Sequence, residues 1–272
     1  MKINAIIAQF PITLSIQENL ASIISLLEQA KPGDWMLFPE GSVSGYALDL
    51  SFLDTLDHQQ LSAALDTLHL QAQQRGIFLW VGAITPEGNK WQNEAFGFTP
   101  LGDIHRYQKI NLTHHERGLF VAGQGLPVFS LETPNGLVKI GLQICREIRS
   151  PEQWGWLSRQ GAQIILHLNN AVGSHRDPSV WRSHLVSRAA ENQRFVLSAN
   201  NAAVDQKCPT IALDPHGCVL DEIVSAQAQT RRVVLDLSQV SNWYIDQSRN
   251  DIVTIAPPPD DIITRQMINK LT

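Results

Sequence analysis

Cys145 closes the apolar run Val138 to Ile144 and is followed at once by Arg146, Glu147 and Arg149, so a thiol at the edge of a core meets a charged, electropositive turn. Cationic neighbours lower a thiol pKa from its free value of about 8.5 and favour the nucleophilic thiolate. The alternative is an inert packed cysteine, and on these residues alone the two readings stand level. Cys208 and Cys218 flank a hairpin without such neighbours and read as structural. Glu40 follows Trp35 to Phe38 through Pro39 and precedes Gly41-Ser42-Val43-Ser44-Gly45-Tyr46. A carboxylate at the carboxyl end of a strand, on a glycine-relieved loop, lies where open α/β folds build their sites. Taken singly, such a residue is more often a solvated loop acid. Enclosure would raise its pKa toward neutrality, which suits a group that takes a proton and later returns it. Lys109 ends another strand-like piece and is either a surface charge or, beside a developing oxyanion, its electrostatic partner. In the second role its truncation is expected to leave folding near normal while depressing turnover by about 10²-fold or more. Glu116, in His114-His115-Glu116-Arg117, is by spacing only a loop acid. The histidine pair suggests a metal hydrolase, but it lacks the HExxH spacing that puts two ligands on one helical face, so solvated histidines and no metal site are expected.

These residues need elements that bring them together. Lys2 to Phe10 reads as a strand, and Ile16 to Ala30 carries Leu20, Ile23, Ile24 and Leu27 at helical spacing. Trp35 to Phe38 reads as a short strand, His58 to Arg75 as a helix with Leu61, Leu65, Leu68 and Ala72 on one side, and Ile77 to Ile84 as a buried strand. Turns at Gly88-Asn89 and Pro100 to Asp103 then separate hairpin-like pieces, Glu94 to Thr99 and Ile104 to Gln108. A second series follows. It runs through strands Val128 to Thr133 and Val138 to Ile144, a proline-started helix Pro151 to Gln160 and strand Gln163 to Leu168. Helix Pro178 to Gln193, strand Phe195 to Ala199, a hairpin of Thr210 to Asp214 with Cys218 to Ile223, and strand Arg231 to Leu237 complete it. The β/α units on either side of a hairpin-rich middle predict two mixed sheets face to face with helices outside, although periodicity does not separate this from one doubly wound sheet. The domain is expected over residues 1–240. Residues 241–272, with Pro257-Pro258-Pro259 and the stretch Asp260 to Leu271, read as a tail that packs on the domain or on a neighbouring subunit.

With 272 residues, 43% hydrophobic and 17% charged, the chain has apolar material for one large core and little character of disorder. A net charge of -5 without any Lys/Arg cluster argues against nucleic acid as a partner. No apolar run approaches the ~20 residues that span a bilayer, and Met1 to Phe10 lacks the long apolar stretch and cleavage site of a signal peptide. Three unevenly spaced cysteines without a CxxC suit free thiols in a reducing compartment, so no membrane association and a cytoplasmic location are expected.

Taken in order, the motifs resemble those of the nitrilase superfamily of carbon–nitrogen hydrolases, over roughly Lys2 to Leu237. Phe38-Pro39-Glu40-Gly41 with Gly45-Tyr46 is similar to the family's catalytic glutamate segment, and Tyr107-Gln108-Lys109-Ile110 to its lysine segment. Gly141 to Glu152, containing Cys145-Arg146-Glu147-Ile148-Arg149-Ser150-Pro151, resembles the nucleophile segment. Asn93-Glu94-Ala95, Arg188 to Asn192 and Asp214-Pro215-His216-Gly217 resemble further landmarks. The resemblance implies a four-layer αββα sandwich of two mixed β-sheets, a homodimer or larger assembly, a Glu40-Lys109-Cys145 triad and no cofactor. It also implies Glu116 as a second glutamate, although Asn-Leu-Thr-His-His-Glu departs from the commoner segment. Tyr46, Arg146, Asn170 and Val172 are the expected substrate-contacting positions. True nitrilases usually carry Trp after the nucleophile, where this chain has Arg146, so an amidase or ω-amidase acting on a small linear carboxamide is the better expectation. N-carbamoyl amidohydrolase and nitrilase activities are the alternatives on the same chemistry, and a catalytically silent interaction protein is the alternative from another class.

Overall fold

The computed structural model describes residues 1–173 and 178–247. In chain order its strands are β1 (Lys2–Gln9), β2 (Trp35–Leu37), β3 (Phe78–Glu87), β4 (Lys90–Phe98), β5 (Ile104–Gln108) and β6 (Val128–Thr133). They continue with β7 (Gly136–Ile144), β8 (Ile164–Leu168), β9 (Phe195–Ala199), β10 (Thr210–Leu213), β11 (Val219–Ile223) and β12 (Gln229–Asp236). The strands form two six-stranded sheets, ordered β12-β1-β2-β3-β4-β5 and β6-β7-β8-β9-β10-β11. Each has three parallel central strands, β1-β2-β3 or β7-β8-β9, with antiparallel strands outside them. The two halves therefore share one topology, with β12 returning from the far end of the chain to fill the place that β6 holds in the other sheet. Two mixed sheets, rather than a single doubly wound one, is the outcome.

Helices α1 (Ile16–Leu27) and α2 (His58–Arg75) carry the crossovers of the first sheet, and α3 (Pro151–Arg159) and α4 (Pro178–Asn192) those of the second. Local chemistry sets their ends. Asp57 accepts from the Gln59 and Gln60 N–H groups to start α2, and Gly76 closes it in the left-handed conformation at φ 66°. Along β1, Ile3, Ala5 and Ile7 face the seam between the sheets, while Ile6 and Ala8 pack with Ile23, Leu61 and Leu68 under the outer helices. This two-residue alternation lets one strand serve two apolar layers. The result is the four-layer αββα sandwich. Among the described residues no helix is long and apolar enough to cross a membrane.

The first residues of the expected tail include a short helix, α5 (Trp243–Gln247). Buried Arg194 donates to the Ser241 carbonyl and to Asn242 Oδ1, and the Tyr244 N–H donates to Gln193 Oε1 at 2.9 Å, so the chain stays tied to the end of α4. The remainder of the expected tail, including Pro257-Pro258-Pro259 and Asp260 to Leu271, lies outside the described residues.

Candidate active site

Three strand ends converge on the seam between the sheets. Pro39, which has no N–H to continue a ladder, ends β2 and throws the chain into a compact loop. There Gly41 has φ 63°, and a Cβ on it would stand 2.6 Å from Tyr46 Cβ, so only glycine lets the loop fold Tyr46 back over Glu40. Beneath it, a Cβ on Gly82 would stand 2.7 Å from the Glu40 Cα, so the bare backbone of β3 is the floor on which this loop lies. Glu40 is fully buried, and its N–H donates to the Asn169 carbonyl of the other sheet's β8 loop at 3.3 Å.

Lys109 follows β5, its N–H donating to the Asn93 carbonyl of β4 at 2.9 Å. The fully buried ammonium donates to Glu40 Oε1 and Glu116 Oε1, both at 2.9 Å. Asn93 Nδ2 spans the same two oxygens at 2.7 and 2.9 Å. Glu116 Oε2 accepts the Thr113 N–H at 2.6 Å, and Phe120, buried against Leu50, Leu53 and Ile84, anchors the far end of that loop. Burial would raise the Glu116 pKa, but the Lys109 charge and hydrogen bond, with the Thr113 and Asn93 donors, bring it down to about 2. Burial would likewise lower Lys109, yet Glu40, Cys145, Tyr46 and Glu116 hold it well above the ordinary lysine value. One permanent cation thus sits between two carboxylates. Tyr46 donates to Glu116 Oε1 at 2.9 Å, and burial with the Glu40 charge keeps its phenol protonated.

Cys145 arrives from the opposite sheet at the end of β7. Its φ of 49° is unusual for a residue with a Cβ and costs about 1–3 kcal/mol, the kind of strain a well-braced functional turn sustains. The bracing is visible. The chain turns directly into a 3-10 helix, Cys145–Arg149, and Trp154 Nε1 and Arg188 Nε donate to the Glu147 and Ile148 carbonyls at 3.0 and 3.1 Å. The Cys145 carbonyl accepts from His167 Nε2 at 2.9 Å. Because a carbonyl only accepts, His167 is the Nε2–H tautomer, and its Nδ1 takes the Ser198 hydroxyl at 2.9 Å. Burial drives the His167 pKa down to about 4 and keeps the ring neutral.

Burial, followed by the charge of Glu40, pushes the Cys145 thiol well above its ordinary value, while Lys109 pulls the other way. The expectation of a thiol lowered by Arg146 and Arg149 is therefore corrected. Arg146 is exposed, and Arg149 lies over the Trp181 ring at 5.6 Å.

Glu147 ties the two sheets' contributions together. It is fully buried, accepting the Ile110 and Asn111 N–H groups beyond Lys109 at 2.7 and 3.1 Å and the Ile144 N–H before Cys145 at 2.6 Å. Tyr107 adds its hydroxyl at 2.9 Å. Burial pushes the Glu147 carboxyl from 4.5 up to about 7, against the pull of those backbone donors. The folded chain thus holds this proton more tightly than the unfolded one, so the associated stability is present below the unfolded pKa and is lost as pH rises through 7. Urea titrations are expected to show wild type losing up to about 3 kcal/mol relative to Glu147→Gln between pH 5 and pH 8. Parallel pH dependence in the two proteins would contradict this.

Glu40, Lys109, Glu116, Tyr46 and Cys145 are brought together; the other expected contacts are placed differently. The Arg146 side chain faces a depression of about 340 Å³ with Asn111, Arg117 and Arg149. Asn170 donates to the Glu40 carbonyl at 3.3 Å and accepts from Asn201 at 3.0 Å, so its amide buttresses the glutamate loop. Val172 is 39% exposed and pairs in an isolated bridge with Gln206. From the sequence, Asn93 and Glu147 stand only as members of motifs with no role of their own, and His167 is not among the candidate residues. A polar residue inside an apolar strand was the available signal for His167, and for Asn93 at the start of the buried half of β4. Among the described residues no three His, Cys, Asp or Glu side chains gather as a metal-ligand set.

Two stacked sheets of one topology, flanked by helices, with a thiol from one sheet facing a carboxylate and an ammonium from the other, define a nitrilase-like sandwich. The carbon-nitrogen hydrolase family model matches residues 5–249, and the chain belongs to that family. It is 29% identical to an (R)-stereoselective amidase from Pseudomonas sp, over 76% of this chain and 74% of that protein. It is 28% identical to a nitrilase from Pyrococcus abyssi, over 66% of this chain and 67% of that one. Among solved structures, a mutant of the amidase from Nesterenkonia sp. AN1, showing covalent addition of the acetamide moiety of fluoroacetamide at its active site cysteine, superposes with a TM-score of 0.76. It is 24% identical, over 92% of this chain and 95% of that one, a likeness of fold.

Proposed function

We propose that this chain hydrolyses the carbon–nitrogen bond of a small linear carboxamide through a thioester on Cys145, releasing ammonia and a carboxylic acid. The observation that carries this reading is one buried cluster, in which the Glu40 carboxylate lies 2.9 Å from the Lys109 ammonium and the charges of both act on the Cys145 thiol. The thiol is protonated at rest, so the cluster favours general-base activation over a standing thiolate. Glu40 takes the thiol proton as sulfur bonds to the amide carbon, and the carbonyl oxygen becomes an oxyanion held by Lys109 and the Arg146 backbone N–H. The oxyanion collapses, the C–N bond breaks, and Glu40 hands its proton to the departing nitrogen, which leaves as ammonia. Water then attacks the thioester while Glu40 accepts a proton from it. Departure of the carboxylic acid returns that proton to sulfur. Glu116 is the fixed anion that keeps Lys109 charged and in place.

The relatives include both an amidase and a nitrilase, and Arg146 after the nucleophile favours the amide. A panel of simple carboxamides, ω-amides, carbamoyl compounds and nitriles, read by ammonia release, separates these. Turnover confined to nitriles would replace the amide reading, and no turnover of any compound, with no acyl mass on the Cys145 peptide, would favour the silent interaction protein.

The same reading takes residues 1–240 as one hydrolase domain, with free Cys145, Cys208 and Cys218 suited to a reducing cytoplasm. It also takes the molecule as a homodimer or larger assembly. The outer layer of α3 and α4 leaves Trp156 at 47% and Val180 at 48% exposure, apolar surface suited to a second copy. Light scattering coupled to gel filtration is expected to give at least twice the 30.3 kDa of one chain.

A further inference from the structure

The adjacent histidines of the Glu116 loop have no part in the reaction as described, yet one of them reaches the site. His114 is exposed, whereas half-buried His115 places Nε2 3.0 Å from the Tyr46 hydroxyl. That hydroxyl also lies 2.9 Å from Glu116 Oε1. A phenol has one proton, and the Glu116 carboxylate can only accept, so the Tyr46 proton goes to Glu116 and a lone pair faces His115. His115 must then present Nε2–H. Its Nδ1 is left as an acceptor, 3.3 Å from the Thr113 hydroxyl. The hydrogen bonds accordingly run in one direction, from Thr113 through His115 and Tyr46 to Glu116. There they meet Lys109 and Asn93 on the same carboxylate oxygen. The Tyr46 ring also stands 5.8 Å from the Lys109 ammonium, so its orientation bears on that cation twice.

We infer that His115 is a positioning residue for the amide hydrolysis proposed above, acting through Tyr46: its Nε2–H fixes the direction of the Tyr46 proton, which keeps Glu116 fully donated and Lys109 centred between Glu116 and Glu40. Without that donor the phenol can turn away, Glu116 loses one of its partners, and Lys109 is drawn toward Glu116 and away from the developing oxyanion. The loss falls on kcat, because His115 touches neither the thiol nor the carboxylate that acts on it.

The test combines His115→Leu and His115→Gln with Tyr46→Phe, reading kcat and KM for an amide from the panel. His115→Leu is expected to lower kcat about tenfold with KM changed less than about twofold, the effect of a part-buried hydrogen bond within a charged network. His115→Gln, which keeps an N–H donor, is expected to recover to within about threefold of wild type. In the Tyr46→Phe background, His115→Leu is expected to change kcat by less than about twofold, because the route of its effect is already gone. Equal losses in both backgrounds, a loss that Gln does not rescue, or a change in KM alone would overturn the inference. The rate at which p-nitrophenyl acetate acylates Cys145, followed by nitrophenolate release and on its peptide by mass spectrometry, reads the same series independently of the natural substrate, because attack on that ester also passes through an oxyanion. A series that acylates in the expected order, from a wild type that hydrolyses no amide, would therefore sink the proposed function and leave the role of His115 standing.

Discussion

Replacing Cys145 with alanine is expected to lower ammonia release from every turned-over amide by at least about 10⁴-fold, because no second nucleophile among the described residues stands where the thioester forms. Glu40 would remain poised as a base, but water directed at an unactivated amide faces the barrier that the covalent route divides in two. The fold is expected to persist. Cys145 is 9% exposed, and alanine accepts its φ of 49° no less readily than cysteine does. Rapid quench of wild type should place substrate acyl mass on the Cys145 peptide, and the variant should carry none. Equal ammonia release from the two proteins, or acyl mass confined to Cys208 or Cys218, would transfer the nucleophile elsewhere.

Lys109→Ala is expected to depress turnover by about 10²-fold or more through loss of the oxyanion partner. It is also expected to lower stability by about 3–5 kcal/mol, because Glu40 and Glu116 would be left as buried carboxylates with no cation between them. The sequence predicts near-normal folding for this variant, and complete burial of the ammonium is what overturns that expectation. Mild acid should return part of the lost stability, since burial alone raises a carboxyl pKa and protonation relieves two like charges. Urea midpoints at pH 5.5 and pH 8 test the stability term, and turnover of the folded fraction tests the chemical one. An unchanged rate would remove the lysine from the mechanism; an unchanged midpoint would mean that the carboxylates need no counter-charge.

The chemistry-bearing positions were legible because each follows a strand whose apolar pattern is plain. Trp35 to Phe38, Ile104 to Gln108 and Val138 to Ile144 deliver Glu40, Lys109 and Cys145 to the same seam. What sequence patterning does not encode is which side of the boundary between core and water a charged loop residue takes. Lys109 and Glu116 read equally well as surface charges; Glu116 is accommodated in the interior because Asn93 and Thr113 donate to its oxygens, and Lys109 because Glu40 and Glu116 accept from it. The thiol was misjudged for a related reason. Arg146 and Arg149 are its neighbours along the chain, but a tight 3-10 turn sends both side chains elsewhere, and the groups that act on sulfur come from Glu40 and Lys109, far away in sequence. Glu147 reads from the sequence only as part of a charged turn, because an acid two residues past a nucleophile carries no periodic signature; only the meeting of the β5 and β7 ends gives it four hydrogen-bond donors.

Glu40 and Lys109 belong to one half of the molecule and Cys145 to the other, so the reacting atoms are held in register by apolar packing between halves and by the few hydrogen bonds that bridge it. Enzymatic competence is consequently a gauge of how tightly the halves are pressed together. Gentle heating, pressure or dilute urea that lets them slip by an ångström would silence the protein while its circular dichroism still looked native.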